Sequence, residues 1–166
     1  RHLVEVDTRA SAFIWTYPHI RTAVLRPVNV LGYYVHSMIG EYLRQQRVPT
    51  VMGFDPMMQF IHEEDVSEAI ALTLQHGLQG VFNVVGPGAV PVSVAIREAG
   101  STAWPMPEQL LGPLIDRLFR WGIVPYPAGA MDYIKYPVTL SGKRFVDATG
   151  FRPLFGLEEI FHSVRR

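Results

Sequence analysis

Residues Gln59–Leu72 read QFIHEEDVSEAIAL. His62 and the carboxylates Glu63, Glu64, Asp65 and Glu68 crowd the junction between a short apolar run and a helical pattern. Three readings compete: metal ligands, a helix cap beside a partly buried histidine, or that same cap with His62 turned toward a substrate cleft. A metal site needs side chains converging on one point. A strand end running into a helix start sends consecutive side chains in different directions, and no second cluster lies at a recognised ligand spacing. No metal site is therefore expected. In a helix starting near Glu64, Val66, Ala69, Ile70, Thr73 and Leu74 form one apolar stripe, with Gly77 as the stop. Asp65, or Glu64 beside it, then sits where a carboxylate caps free N–H groups at the positive end of the helix dipole.

Outward from this junction, the pattern alternates. Apolar residues spaced near 3.6 predict a helix over His2–Tyr17, stopped by Pro18. Thr22–Arg26 reads as a buried strand ended by Pro27, and Asn29–Gly32 as a turn. A second helix is expected over Val35–Arg47, then strands over Val48–Gly53 and Met58–His62. Val81–Val85 is a further buried strand, closed by the turn Gly86-Pro87-Gly88, and a helix follows from Pro91 to Ala99. Helices alternating with short apolar strands predict an α/β fold with a largely parallel sheet. Beyond Gly100 the character changes. Trp104–Pro107 reads as rigid and proline-rich, Glu108–Trp121 as a helical stripe, Pro125–Ala130 as loop, and Leu157–Val164 as a short amphipathic helix.

Composition narrows the partners. The 166 residues carry 15 basic and 15 acidic side chains, so no net charge favours nucleic acid or an anionic membrane. A small-molecule substrate or a protein partner is expected instead. Hydrophobic content of 48% supports a packed core. Without cysteine there is neither a disulfide framework nor a thiolate metal site, which fits a reducing, cytoplasmic setting. No apolar run reaches the roughly 20 residues needed to cross a bilayer. Gly86-Pro87-Gly88 is too short for a phosphate loop, and no G-x-S-x-G elbow is present.

Three segments in order, Val24–Gly32 (VLRPVNVLG), Phe60–Ile70 (FIHEEDVSEAI) and Gly80–Gly86 (GVFNVVG), resemble the C-terminal half of an extended short-chain dehydrogenase/reductase, the NAD-dependent epimerase/dehydratase family. Asp147–Pro153 is similar to that family's last segment. The resemblance implies the C-terminal part of a Rossmann-type parallel sheet, two strands, plus a smaller α+β substrate domain. Residues 1–32 and 63–89 would belong to the dinucleotide-binding domain, and 33–62 with 90–166 to the substrate-binding domain. It further implies that Pro27 and Val28 approach the nicotinamide of NAD or NADP. Asn29 would reach the substrate, with Gly32, Met58 and His62 on the same rim and Asp65 capping the helix. An asparagine amide offers donors and acceptors to a polar ligand, and strand-end loops form the ligand crevice of open α/β sheets.

The departures from the family bear on activity. The glycine-rich phosphate loop is absent, and no tyrosine is followed four residues later by lysine. Sugar-nucleotide epimerases often carry arginine where Met58 stands. Met57, Met58 and Phe60 suit an apolar substrate or a packed interface equally. The expectation is the C-terminal portion of an NAD(P)-dependent epimerase, dehydratase or reductase, inactive alone, binding dinucleotide weakly or not at all, and paired with a missing N-terminal half or with itself. The alternatives are a non-catalytic binding or oligomerisation module, and an unrelated α/β enzyme using His62 with a nearby carboxylate.

Overall fold

The computed structural model describes residues 2–122, 135–136 and 139–165. The expected loop at Pro125–Ala130 lies outside them. Helix α1 (His2–Thr16) leads into β1 (Ala23–Pro27), β2 (Asn29–Leu31), α2 (Met38–Leu43), β3 (Arg47–Val51) and β4 (Met57–His62). Then follow α3 (Glu63–Gln75), β5 (Gly80–Val84), β6 (Ala89–Pro91), α4 (Val92–Glu98), β7 (Thr102–Met106) and α5 (Glu108–Arg120). Helices α6 (Lys143–Thr149) and α7 (Leu157–His162) complete the described elements.

Strands β1 and β5 pair in parallel, with Pro27 opposite Val84. Strands β2 and β4 also pair in parallel, Leu31 opposite His62, while β6 runs antiparallel to β4. A third parallel pair joins β3 to β7. The Val28 N–H extends the first ladder by one bond, donating to the Val84 carbonyl at 3.1 Å. Residues 23–31 therefore form one extended run that leaves β5 at Val28 and joins β4 at Asn29. The expected turn at Asn29–Gly32 is in fact strand β2, because its backbone groups find partners on β4.

Where the chain leaves β5 it passes directly over β4. A Cβ on Gly86 would run into the Phe60 carbonyl. That contact, rather than positive φ, is why glycine stands in the Gly86-Pro87-Gly88 turn. Phe60 and Ile61 then serve two different cores from opposite faces of β4. Phe60 packs with Leu31, Tyr42, Val48, Ile96, Ile115 and Phe161. Ile61 packs with Ala69, Phe82, Val84, Phe145 and Phe151.

Two elements depart from the pattern-based expectation. Helix α2 is shorter than Val35–Arg47: Ser37 begins it by accepting the Gly40 N–H at 3.1 Å, and Arg47 is drawn into β3. The proline-rich stretch Trp104–Pro107 contributes most of β7. A two-stranded sheet has open edges, so the missing proline N–H groups at Pro49 and Pro105 need not break the ladder.

Helix α3 is capped by His62, not by Asp65. The His62 Nδ1 accepts the Glu64 N–H at 3.3 Å, so that nitrogen carries no proton. Asp65 lies within the first turn, wholly buried, and its Oδ1 instead accepts the Leu154 N–H at 2.7 Å. Its Oδ2 has no hydrogen-bond partner among the described residues. The adjacent Phe155 stacks on the His62 ring with centroids 4.0 Å apart. Together, His62 and Asp65 lock the segment around Leu154 onto the start of α3.

Gly86→Ala should cost about 3 kcal/mol or more in urea unfolding, because rigid backbone meets the new methyl. Gly53, at φ +84 with open space around it, should lose only about 1 kcal/mol on the same change. Asp65→Ala should cost about 2 kcal/mol and speed exchange of the Leu154 amide, whereas Asp65→Asn keeps an acceptor and should preserve that protection. Equal effects for the two Asp65 variants would remove the proposed lock.

Candidate functional site

The carboxyl ends of β1 and β5 meet at Pro27 and Val84, beside the start of β2, and strand ends of this kind are where open α/β sheets receive ligands. Pro27 is exposed there, and Val28 is half-buried against the second core. Asn29 is half-buried, and its Nδ2 donates to the Gln59 carbonyl at 2.9 Å. These three stand together at the switch from β5 to β4.

The other expected rim residues sit differently. His62 is 2% exposed, committed to the α3 cap and the Phe155 stack. It presents no open face to a cleft. Met58 is 3% exposed in the first core, so it packs the interior instead of lining a pocket. Gly32 is buried beneath the Glu63 side chain, with which a Cβ would collide. Its own contribution is space, together with a carbonyl that accepts from Arg44 Nη2 at 2.9 Å.

Several groups at this edge have partners that the sequence did not reveal. Both Glu63 carboxylate oxygens face the Tyr34 N–H, at 3.2 and 3.3 Å. Arg44 reaches the carbonyls of Gly32 and Val35 and pairs with Glu41 at 3.2 Å. The His36 ring bond, with Arg44 behind it, holds the Glu41 carboxyl below its ordinary range. Arg26 makes a two-pronged bond to Asp7 at 2.7 and 2.6 Å, which ties α1 to β1 and raises the guanidinium further above its ordinary range. The Gln59 side-chain amide both donates to and accepts from the Leu140 backbone, at 3.1 and 2.7 Å. Glu63 and Gln59 both lie in the decisive stretch, but their partners are remote in sequence, so no local pattern marks them. The adjacent Tyr33 and Tyr34, fitting neither helix nor strand periodicity, were the one legible signal.

Neither of the two glycines at this edge leaves room for a pyrophosphate to approach the backbone. The space beside Gly32 is filled by Glu63, and that beside Gly86 by the β4 backbone. Among the described residues no three His, Asp or Glu side chains are grouped to hold a metal ion, and no helix is long and apolar enough to cross a membrane.

No protein-family profile matches the chain. Uncharacterized proteins of Mycobacterium tuberculosis and Mycobacterium bovis are 34% identical over 90 residues, which cover 54% of this chain and 24% of theirs. Solved structures align over nearly the whole chain. UDP-glucose 4-epimerase from Thermus thermophilus in complex with NAD is 21% identical, at a TM-score of 0.62 over 95% of this chain and 49% of its own. DesIV, a dTDP-glucose 4,6-dehydratase from Streptomyces venezuelae with NAD and TYD bound, gives 17%, 0.64, 95% and 47%. RMD from Pseudomonas aeruginosa complexed with NADPH gives 18%, 0.63, 95% and 50%. The chain thus spans about half the length of these enzymes. Its fold is the one that NAD-dependent epimerases and dehydratases build from their C-terminal half.

Proposed function

We propose that this chain forms the substrate side and the nicotinamide rim of an NAD(P)-dependent epimerase, dehydratase or reductase. Residues 1–32 and 63–89 act as the C-terminal part of its dinucleotide-binding domain, and 33–62 with 90–166 as its substrate domain. One observation carries this reading: β1 and β5 pair only with each other among the described residues. Beside β1 runs a cavity of about 600 Å³ lined by Arg21, Ala23, Leu25, Ile70, Leu74 and Leu78. An apolar strand edge flanked by such a groove is suited to receive further strands. In this reading they bring the phosphate-cradling glycines and the Tyr-x-x-x-Lys pair that this sequence lacks.

When bound, a nicotinamide supplies hydride exchange with a carbonyl or carbinol carbon. The part played by this chain is positional. Pro27 offers a fixed, donor-free surface for the ring, Val28 closes the apolar side, and Asn29 meets the substrate from the start of β2.

A second reading, a binding or oligomerisation module, is favoured by α1. That helix exposes Val4, Val6 and Trp15 at 71, 64 and 85%, more apolar surface than a solvated helix face needs. Hydrogen exchange separates the two readings. Protection of Ala23–Pro27 gained only on self-association favours the module, and protection gained on adding a nucleotide-binding half favours the enzyme.

The chain alone should give no NADH-dependent turnover. Mixed with or fused to a half carrying the glycine-rich strand–turn–helix and Tyr-x-x-x-Lys, it should support turnover that Asn29→Ala lowers by about tenfold or more. Turnover by the chain alone, or none after protection of Ala23–Pro27 is seen, would defeat the enzyme reading.

A further inference from the structure

We infer that the substrate rim takes a neutral, ring-bearing carbonyl or alcohol, and that Tyr33 and Tyr34 form a fixed aromatic shelf for its ring. The inference rests on the enzyme reading above and adds the substrate class. Tyr33 is 61% exposed and Tyr34 88%, directly after the exit of β2. Exposed aromatic rings on a mobile loop would carry little information, but this loop is pinned along its length. Arg44 holds the carbonyls of Gly32 and Val35, Glu63 holds the Tyr34 N–H, and Ser37 donates to the Val30 carbonyl at 3.0 Å. Side chains thus satisfy the backbone while both rings stay in water. Rigid aromatic surface at a ligand edge gives contact area at little entropic cost.

Charge weighs against the phosphate-bearing class. The cations at this edge are already engaged: Arg26 is closed on Asp7, and Arg44 on Glu41 and two carbonyls. The positive end of α3, a natural seat for an anion, carries Glu63, Glu64 and Asp65 in its first turn and is capped by His62 Nδ1. Residues 27–43 and 59–75, which supply this edge, contain no lysine or arginine, so a diphosphate would meet carboxylates here. An uncharged ring meets two tyrosines.

Glu63 is the positioning residue, since it fixes Tyr34 without itself belonging to the shelf. The test is saturation-transfer NMR on the full chain, with 4-methoxybenzaldehyde as neutral probe and UDP-glucose as phosphate-bearing probe. Transfer to the aldehyde should weaken about tenfold in Tyr33→Ala/Tyr34→Ala. It should also weaken in Glu63→Ala and recover in Glu63→Gln, whose Oε1 still accepts the Tyr34 N–H. Circular dichroism and an unchanged unfolding midpoint confirm that each variant folds. No transfer to the aldehyde, or transfer indifferent to the tyrosines, overturns the shelf. UDP-glucose binding that Asn29→Ala abolishes and the tyrosine changes leave alone overturns the neutral class while the enzyme reading stands. That reading falls only with its own reconstitution test.

Discussion

The fold depends on one close crossing, the exit of β5 over the backbone of β4. Without a side chain at Gly86 the chain can pass against the Phe60 carbonyl. Because it does, β4 is held between two cores, Phe60 on one face and Ile61 on the other. The same crossing lets residues 23–31 pair first with β5 and then with β4, so the ends of β1 and β5 arrive beside the start of β2, where the candidate site lies. A side chain at Gly86 would separate the sheets and scatter that edge. Site and core thus rest on the same few cubic ångströms.

The decisive stretch was legible in outline. Apolar spacing gave β4 and α3, the short apolar runs gave β1 and β5, and the order of elements gave the α/β class. What could not be read locally were the partners that assign each polar group its task. His62 caps its own helix, but it is buried because Phe155 comes back from the far end of the chain to stack on it. Asp65 belongs to the Leu154 amide for the same reason. Gly32 was expected on the rim, but it lies buried beneath Glu63. Its purpose, making room for Glu63, depends on a side chain across the sheet. Strand β7 was missed because proline argues against strands in general, and only an open-edged pair makes it acceptable.

Resemblance and physics contributed different parts. Resemblance supplied the family of enzymes and their cofactor class, and the fold alignment bears out the architecture over nearly the whole chain. It also suggested Met58 and His62 as rim groups, and burial removes both from that role. Burial was decided by what lies on the far side of each strand, which motif matching does not see.

The rim's charge pattern follows from its mechanical duties. Arg26 fastens α1 to β1, and Arg44 fastens the loop beyond β2; each is the strongest type of side-chain anchor available to these elements. A guanidinium closed on a carboxylate cannot also neutralise a ligand's phosphate without giving up that hold. On the proposed reading, a rim that keeps its loops rigid with arginine selects against anionic ligands, and the binding surface left over is whatever the pinned loop presents outward. Here that surface is a pair of tyrosine rings. Rigidity and specificity are accordingly one property of this edge, set by which partners its two arginines already hold.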